Sequence, residues 1–280
     1  DADIAYALLL ADKQWGSDGR INYRTAAETL ITAILQSTIG PDSRLPMFGD
    51  WVEPNGSTYN QYTPRSSDFM PAHFRAYGRS VNNPVWYEVI SNTQIVISSM
   101  QTDHSPATGL LPDFIVPLSP TDHTPQPAPA NFFEGAHDGD YYYNAGRDPW
   151  RIATDTLLNN DPISRTQAGK MSVWAKNATG GNPNNIKAGY KLDGTPLPGS
   201  NYFSTFFTAP LGVAAMTVPS HQVWLNAIYD AVYAKHEGYY EDSVNLLCLL
   251  IMTGNYWDPT TIDLVENKSI TPIFLLLLLQ

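Results

Sequence analysis

Cysteine is almost missing from these 280 residues. Cys248 stands alone, which excludes an internal disulfide and any zinc site built on several thiolates. It sits in the apolar run "SVNLLCLLIMTGN", where a lone thiol reads as an inert buried side chain. Basic residues are also scarce: 16 Lys and Arg against 27 Asp and Glu leave a formal charge of −11. Such a balance lacks the cations that grip phosphate and excludes nucleic acid as a partner. It suits a neutral or cationic ligand, or serves solubility alone. No apolar run approaches the ~20 residues a membrane helix needs. The run in "PIFLLLLLQ" has seven, so no membrane partner is expected. The metalloprotease HExxH, the hydrolase GxSxG and the phosphate-binding glycine loops are absent too. The six histidines are scattered, so neither a metal nor a cofactor is expected. Nothing in the sequence sets the oligomeric state.

What remains is apolar and aromatic. Hydrophobic residues make up 43% and aromatic residues 12%, enough for a sizeable core. The dominant period is helical. "DIAYALLLADKQWG" puts Ile4, Ala7, Leu8 and Ala11 on one face, and "YRTAAETLITAILQSTI" repeats the pattern with Ala26, Leu30, Ala33 and Ile34. Seven further helices are expected in "DFMPAHFRAYGRS", "VWYEVISNTQIVISSMQ", "DPWRIATDTLLNN", "SRTQAGKMSVWAKNA", "FSTFFTAPLGVAAMTV", "HQVWLNAIYDAVYAK" and "YYEDSVNLLCLLIMTGN". About nine helices joined by polar connections make an all-α fold of helical hairpins, as in a bundle or an α/α toroid. Strand alternation is confined to a possible short ribbon near Trp51 or Lys191. Residues 117–131 hold five prolines and cannot be helical; so long a loop in a compact domain is usually functional or disordered. Residues 1–259 read as one unit and 260–280 as a tail of unassigned role.

The Pro-rich stretch leads into "EGAHDGDYYYNAGRDPWR", residues 134–151, the densest polar and aromatic run in the chain. Glu134, Asp138 and Asp140 are its candidate bases. Asn144 stands where a carboxylate would be useful, and an amide cannot take a proton from water. It can orient a water or hold the loop. Arg147 and Arg151 can pair with carboxylates as bidentate donors. Tyr141, Tyr142 and Tyr143 cannot all face a cleft, so at least one belongs to the core. Trp150, Phe114 and Trp51 are candidate platforms for a sugar ring. Asp113 in "LLPDF" and Asp193 in "KLDG" are candidate substrate ligands or caps, with capping favoured for Asp193.

The opening "DADIAYALLLADKQWG" resembles the signature of glycoside hydrolase family 8. Asp1 matches its second Asp, Ile4-Ala5 its Ile-Ala pair and Trp15 its closing aromatic. "WGSDGRINY", "GLLPDF", "YYYNAGRDPWR", "LDG" and "EDSVNLLCLLIMTGN" continue the resemblance in family order to about residue 259. It implies a toroid of six inner and six outer helices and inverting hydrolysis of β-1,4-linked glycans. Two carboxyls and a water would then suffice, and the partner would be a polysaccharide met outside the cell.

Two departures follow. The family's general acid lies in a Glu-Gly-x-Gly-Tyr motif upstream of the signature, and no such motif occurs here. The chain is therefore expected to be the C-terminal two-thirds of a catalytic domain, inactive alone, with an incomplete toroid. The usual base is the Asp of a Tyr-Asp-Ala-x-Arg motif, replaced here by Asn144. A subgroup that includes chitosanases pairs this Asn with a Glu on an inserted upstream loop, which points to Glu134 as base and Asn144 as the residue that positions water. Asp1, Asp113, Phe114, Tyr143, Arg147, Trp150 and Arg151 complete the expected site as substrate-binding residues. Chitosan is the expected substrate, since an acidic protein attracts a polycation, with endoglucanase or lichenase activity and inactive glycan binding as the alternatives.

Overall fold

The computed structural model describes residues 1–261. The leucine run and most of the 260–280 tail lie outside the described residues. Within them the nine expected helices all form: α1 (Ala2–Trp15), α2 (Tyr23–Ser37), α3 (Pro71–Ser80), α4 (Val85–Asp103), α5 (Asp148–Asn159), α6 (Pro162–Ala178), α7 (Thr205–Ala215), α8 (Gln222–Val232) and α9 (Tyr239–Met252). Local chemistry fixes several boundaries. The Asn22 side chain accepts from Thr25 N at 2.8 Å and caps α2. Asp161 does the same for α6 through Ser164 N at 2.8 Å, ahead of Pro162, a residue suited to a first turn because it needs no N–H partner. α5 ends where Asn160 turns left-handed, φ 55°, a conformation Asn tolerates.

The odd-numbered helices pack in sequence, α1 on α3, α3 on α5, α5 on α7 and α7 on α9, while α2, α4, α6 and α8 lie against them. This is the inner and outer alternation of an (α/α)6 toroid, with five inner and four outer helices among the described residues. Burial follows the layers. All eleven residues of α7, TFFTAPLGVAA, are buried, as an apolar circumference requires. α2 buries only Ala27, Ile31 and Ile34, one face of a surface helix.

The ribbon does form, but not where the sequence suggested. β1 (Ile115–Pro117) pairs antiparallel with β2 (Pro125–Pro127), Val116 opposite Gln126, inside the Pro-rich stretch. Two-stranded ribbons leave one side of each strand without a partner, so a proline facing outward forfeits no ladder bond. Near Trp51 there is only an isolated Ile39–Pro46 bridge, and near Lys191 Tyr190 bridges Tyr141 and Pro196. Cys248 is wholly buried, as expected, and burial pushes its thiol well up.

Between α3, α5 and α6, Arg75 donates to Asp155 at 2.7 and 3.1 Å and to Asp161 at 2.7 Å. The Asp155 side chain has no exposure. Replacing Arg75 by Met leaves that carboxylate without its cation, and removal of one member of a buried pair costs about 3 kcal/mol or more. Chemical denaturation of Arg75→Met is expected to show a loss of that size; an unchanged midpoint would refute the role of this pair in joining the helices.

Candidate active site

The stretch 134–151 forms a loop and the first turn of the inner helix α5. Its fixed point is Asp113, 3% exposed. One carboxylate oxygen accepts from Tyr142 N at 2.9 Å and Ala145 N at 2.7 Å; the other accepts from Asn144 N at 3.0 Å and Asn144 Nδ2 at 3.3 Å. Burial pushes this carboxyl up to about 7, while the four donors pull it down. Asp113 is therefore internal to the loop, a correction to its expected role as a substrate ligand.

Asn144 is buried and central. Its amide nitrogen also donates to Glu134 Oε2 at 2.8 Å, and its amide oxygen accepts from the Arg147 guanidinium at 3.0 Å. Arg147 is braced in turn by Ser67 Oγ at 2.6 Å. Of the three candidate carboxylates, Glu134 is the one whose side chain meets Asn144, and it is exposed. Asp138 is 3% exposed and accepts from the N–H groups of Phe133, Glu134 and Gly135 at 2.7, 3.1 and 2.9 Å. It staples the loop that presents Glu134. Asp140 pairs with His137 Nδ1 at 2.9 Å.

The aromatic expectations need correction. Phe114 is fully buried, with its ring 5.2 Å from Phe48 and 5.5 Å from Phe133. Trp150 is 3% exposed and lies under the Arg151 guanidinium at 3.9 Å. Neither offers a face to a sugar; both fill space between elements. Trp51, by contrast, is 55% exposed and stacks on Phe133, 6.0 Å away, which stacks on Phe48 at 4.8 Å. This shelf adjoins Glu134 in the chain. Of the three tyrosines, Tyr141 is core. Tyr143 is half-buried, stacked on Phe206 at 5.2 Å, and its hydroxyl meets that of Tyr202 at 3.0 Å. Asp193 closes an exposed turn by accepting from Thr195 N at 2.8 Å; it caps no helix.

Arg151 is also internal rather than substrate-facing. It makes two hydrogen bonds to Asp3, 2.6 and 2.7 Å, and His73 Nε2 lies 3.2 Å from the same carboxylate. Burial opposes the Asp3 charge, but Arg151 and His73 outweigh it and hold the carboxyl well below its usual range. The Tyr77 hydroxyl donates to Ala2 O. Together these contacts fix the first turn of α1, and with it the exposed Asp1, against α5. Sequence reasoning missed Asp3 as the Arg151 partner, along with Arg65, Ser67 and Phe133. Arg65 donates to Asp68 at 3.0 Å and stands close enough to feel the Glu134 charge. "PRSSDF" carries no motif that signals this. Among the described residues no group of three or more His, Cys, Asp or Glu could hold a metal ion, and no helix is long and apolar enough to cross a membrane.

A family model for glycosyl hydrolases family 8 matches residues 1–254. The chain belongs to this family. A β-glucanase of Niallia circulans is 46% identical over 258 residues, covering 92% of this chain and 61% of that protein. An endoglucanase of Bacillus sp. strain KSM-330 is 39% identical over 275 residues, 98% of this chain and 56% of that protein. The apo structure of a β-1,3-1,4-glucanase from Paenibacillus sp. X4 matches with a TM-score of 0.87 at 43% identity, over 92% of this chain and 66% of that one. The chain thus spans about three-fifths of the length of the curated relatives it matches.

Asp148, at the start of α5, is 1% exposed with neither carboxylate oxygen hydrogen-bonded. Burial pushes its carboxyl well above the ordinary range, with the nearby Ser66 hydroxyl and the Arg147 charge opposing. A raised folded-state value means that the native chain holds the proton more tightly than the unfolded one. The associated stability is present at low pH and is lost as pH rises through the folded value. Asp148→Asn removes the ionisation at nearly constant shape. Its melting temperature is expected to fall less between pH 5 and pH 8 than that of the unaltered chain; identical pH dependence would show that Asp148 does not titrate this way.

Proposed function

We propose that the full-length protein is an inverting endo-hydrolase of β-1,4 bonds in a β-glucan, with Glu134 as general base and Asn144 as the residue that positions it and the attacking water. The observation that carries this reading is the Glu134–Asn144 hydrogen bond, backed by Asp113 and Arg147. An inverting site needs a carboxylate that takes a proton from water on the face of the sugar opposite a general acid, with ~6.5–9.5 Å between the two groups. Glu134 can accept that proton, whereas Asn144 cannot. The exposed Trp51–Phe133 shelf beside it supplies flat apolar area for a pyranose ring. The general acid is attributed to a Glu-Gly-x-Gly-Tyr segment elsewhere in the full-length protein. A polysaccharide substrate would be met outside the cell, which is the location we propose.

β-Glucan takes precedence over chitosan because the relatives at 46% and 39% identity carry glucanase names. The charge argument for chitosan also weakens locally. Asp3, Asp113, Asp138 and Asp140 are all engaged by partners within the chain, leaving few free carboxylates to attract ammonium groups. Chitosan remains the second reading, supported by the pairing of Asn144 with a Glu on an inserted loop.

Two measurements on the full-length protein test this. Glu134→Gln should lower the release of reducing sugar from mixed-linkage β-glucan by about 10³-fold, within the range a general base contributes, while binding of the polymer persists. Retained turnover would remove Glu134 from the mechanism. Trp51→Ala should raise KM several-fold with kcat little changed, as loss of binding common to ground and transition states requires. Hydrolysis of chitosan in preference to β-glucan would reverse the substrate order, and hydrolysis of neither polymer would defeat the enzyme assignment.

A further inference from the structure

Asn144 has two amide protons and one carbonyl oxygen, and all three are engaged. One proton goes to Glu134 Oε2 at 2.8 Å, the other to Asp113 Oδ2 at 3.3 Å, and the oxygen receives Arg147 at 3.0 Å. Rotating the amide by half a turn would set its oxygen against two carboxylates and its NH2 group against a guanidinium. The orientation is therefore fixed by charge on both sides. Glu134 and Arg147, however, are less buried than Asp113, and side chains open to water exchange partners readily. Asp113 is the anchored member. Its main chain is stitched to the Glu134 loop through Asp113 N to Asp140 O at 2.8 Å and Phe114 N to Asp138 O at 2.9 Å, and every contact to its carboxylate comes from a donor.

We propose that Asp113 is a positioning residue for the hydrolytic reaction: it holds the Asn144 amide in the one orientation that donates to Glu134, leaving the second Glu134 oxygen free for water. The proposal rests on Glu134 being the base. Asp113 touches no reacting atom and acts through Asn144 alone. An isosteric amide at 113 keeps one acceptor oxygen but turns an NH2 group toward Asn144 N–H and Nδ2, so the donor pattern fails and Glu134 loses its brace. The groups that feel the Asp113 charge are Tyr141, Tyr142, Asp148 and Tyr240, with Glu134 and Arg147 reached across Asn144. Of these only Glu134 shares the Asn144 amide nitrogen with Asp113.

The test uses the full-length protein and β-glucan. Asp113→Asn should lower kcat by about 100-fold, the scale of a small misplacement of a catalytic group. KM should stay within a few-fold and the acid limb of the pH profile should move. Combined with Asn144→Ala, it should cost no more than Asn144→Ala alone, because both changes cut the same link. Additive losses, or an unmoved pH profile, would overturn the proposal. Should Asp113→Asn fail to fold, the unaltered protein decides. The Asn144 side-chain amide protons, assigned by their loss in Asn144→Ala, should exchange slowly and be resolved as two distinct signals, one held on Asp113 and one on Glu134. In Glu134→Gln the proton held on Asp113 should stay protected. Fast exchange of both protons overturns the proposal. An inactive Glu134→Gln beside a fully active Asp113→Asn defeats this proposal alone, whereas an active Glu134→Gln defeats the base assignment.

Discussion

Nine consecutive residues at the start of α5, Asp148 to Thr156, are buried, and five of them are polar: Asp148, Arg151, Thr154, Asp155 and Thr156. An inner helix of a toroid has neighbours on every side, so its polar side chains find partners in protein rather than in water, with Asp148 and Thr156 as exceptions. That constraint organises much of the molecule. Arg151 takes Asp3 from α1, Asp155 takes Arg75 from α3 and Ser164 from α6, and Thr154 turns back on Trp150 O. The contacts to Asp3, Arg75 and Ser164 tie α5 to three different helices. The angular order of the inner ring is thus written in polar contacts as much as in apolar packing, and a change in α5 is felt in three other elements.

The same helix sets the site. Its first turn can lie where it does only if the chain arriving from Tyr141 bends sharply enough to bring three N–H groups, those of residues 142, 144 and 145, onto one carboxylate. Gly146 is the other half of this solution. A Cβ there would run into the Phe206 ring of α7, so only glycine lets the turn approach that helix. Packing on one side and the Asp113 charge on the other leave Asn144 a single place to stand. The exposed loop with Glu134 is then attached to a rigid reference at its Asn144 contact and, through the Asp138 staple, at its base. The general base proposed on this loop would need such support, because loops carry function while rigid elements supply the geometry.

The helices were legible because the 3.6-residue period survives wherever one face meets a core, and in α7 because an apolar circumference with helical length has few other solutions. The ribbon was not, since prolines read locally as breakers although they are harmless on the outward side of two strands. At the site, residue type proved an incomplete guide. Phe114 and Trp150 have the chemistry of a sugar platform, but whether an aromatic ring meets solvent is decided by neighbours remote in sequence. Asp113 shows the same limit. "LLPDF" resembles an exposed loop with a free carboxylate, and nothing local announces that three N–H groups some thirty residues onward will close over it. Asn144 was legible as an anomaly, and the anomaly pointed ten residues upstream to Glu134, which does reach it.

Net charge illustrates why a global quantity poorly predicts a local one. The chain is acidic by 11 charges, and a polycation is the natural partner of such a surface if the charges are free. Around the candidate site they are largely spoken for: Asp3 by Arg151 and His73, Asp138 by three N–H groups, Asp140 by His137 and Asp113 by four donors. Glu134, braced by Asn144, stays exposed, and Trp51 keeps an open aromatic face. Under the proposed function such a surface would hold a neutral sugar by stacking and keep the exposed Glu134 for chemistry. On that proposal, substrate choice would turn on which hydroxyl or amino groups flank the ring held there, and the excess acid elsewhere on the chain would serve solubility.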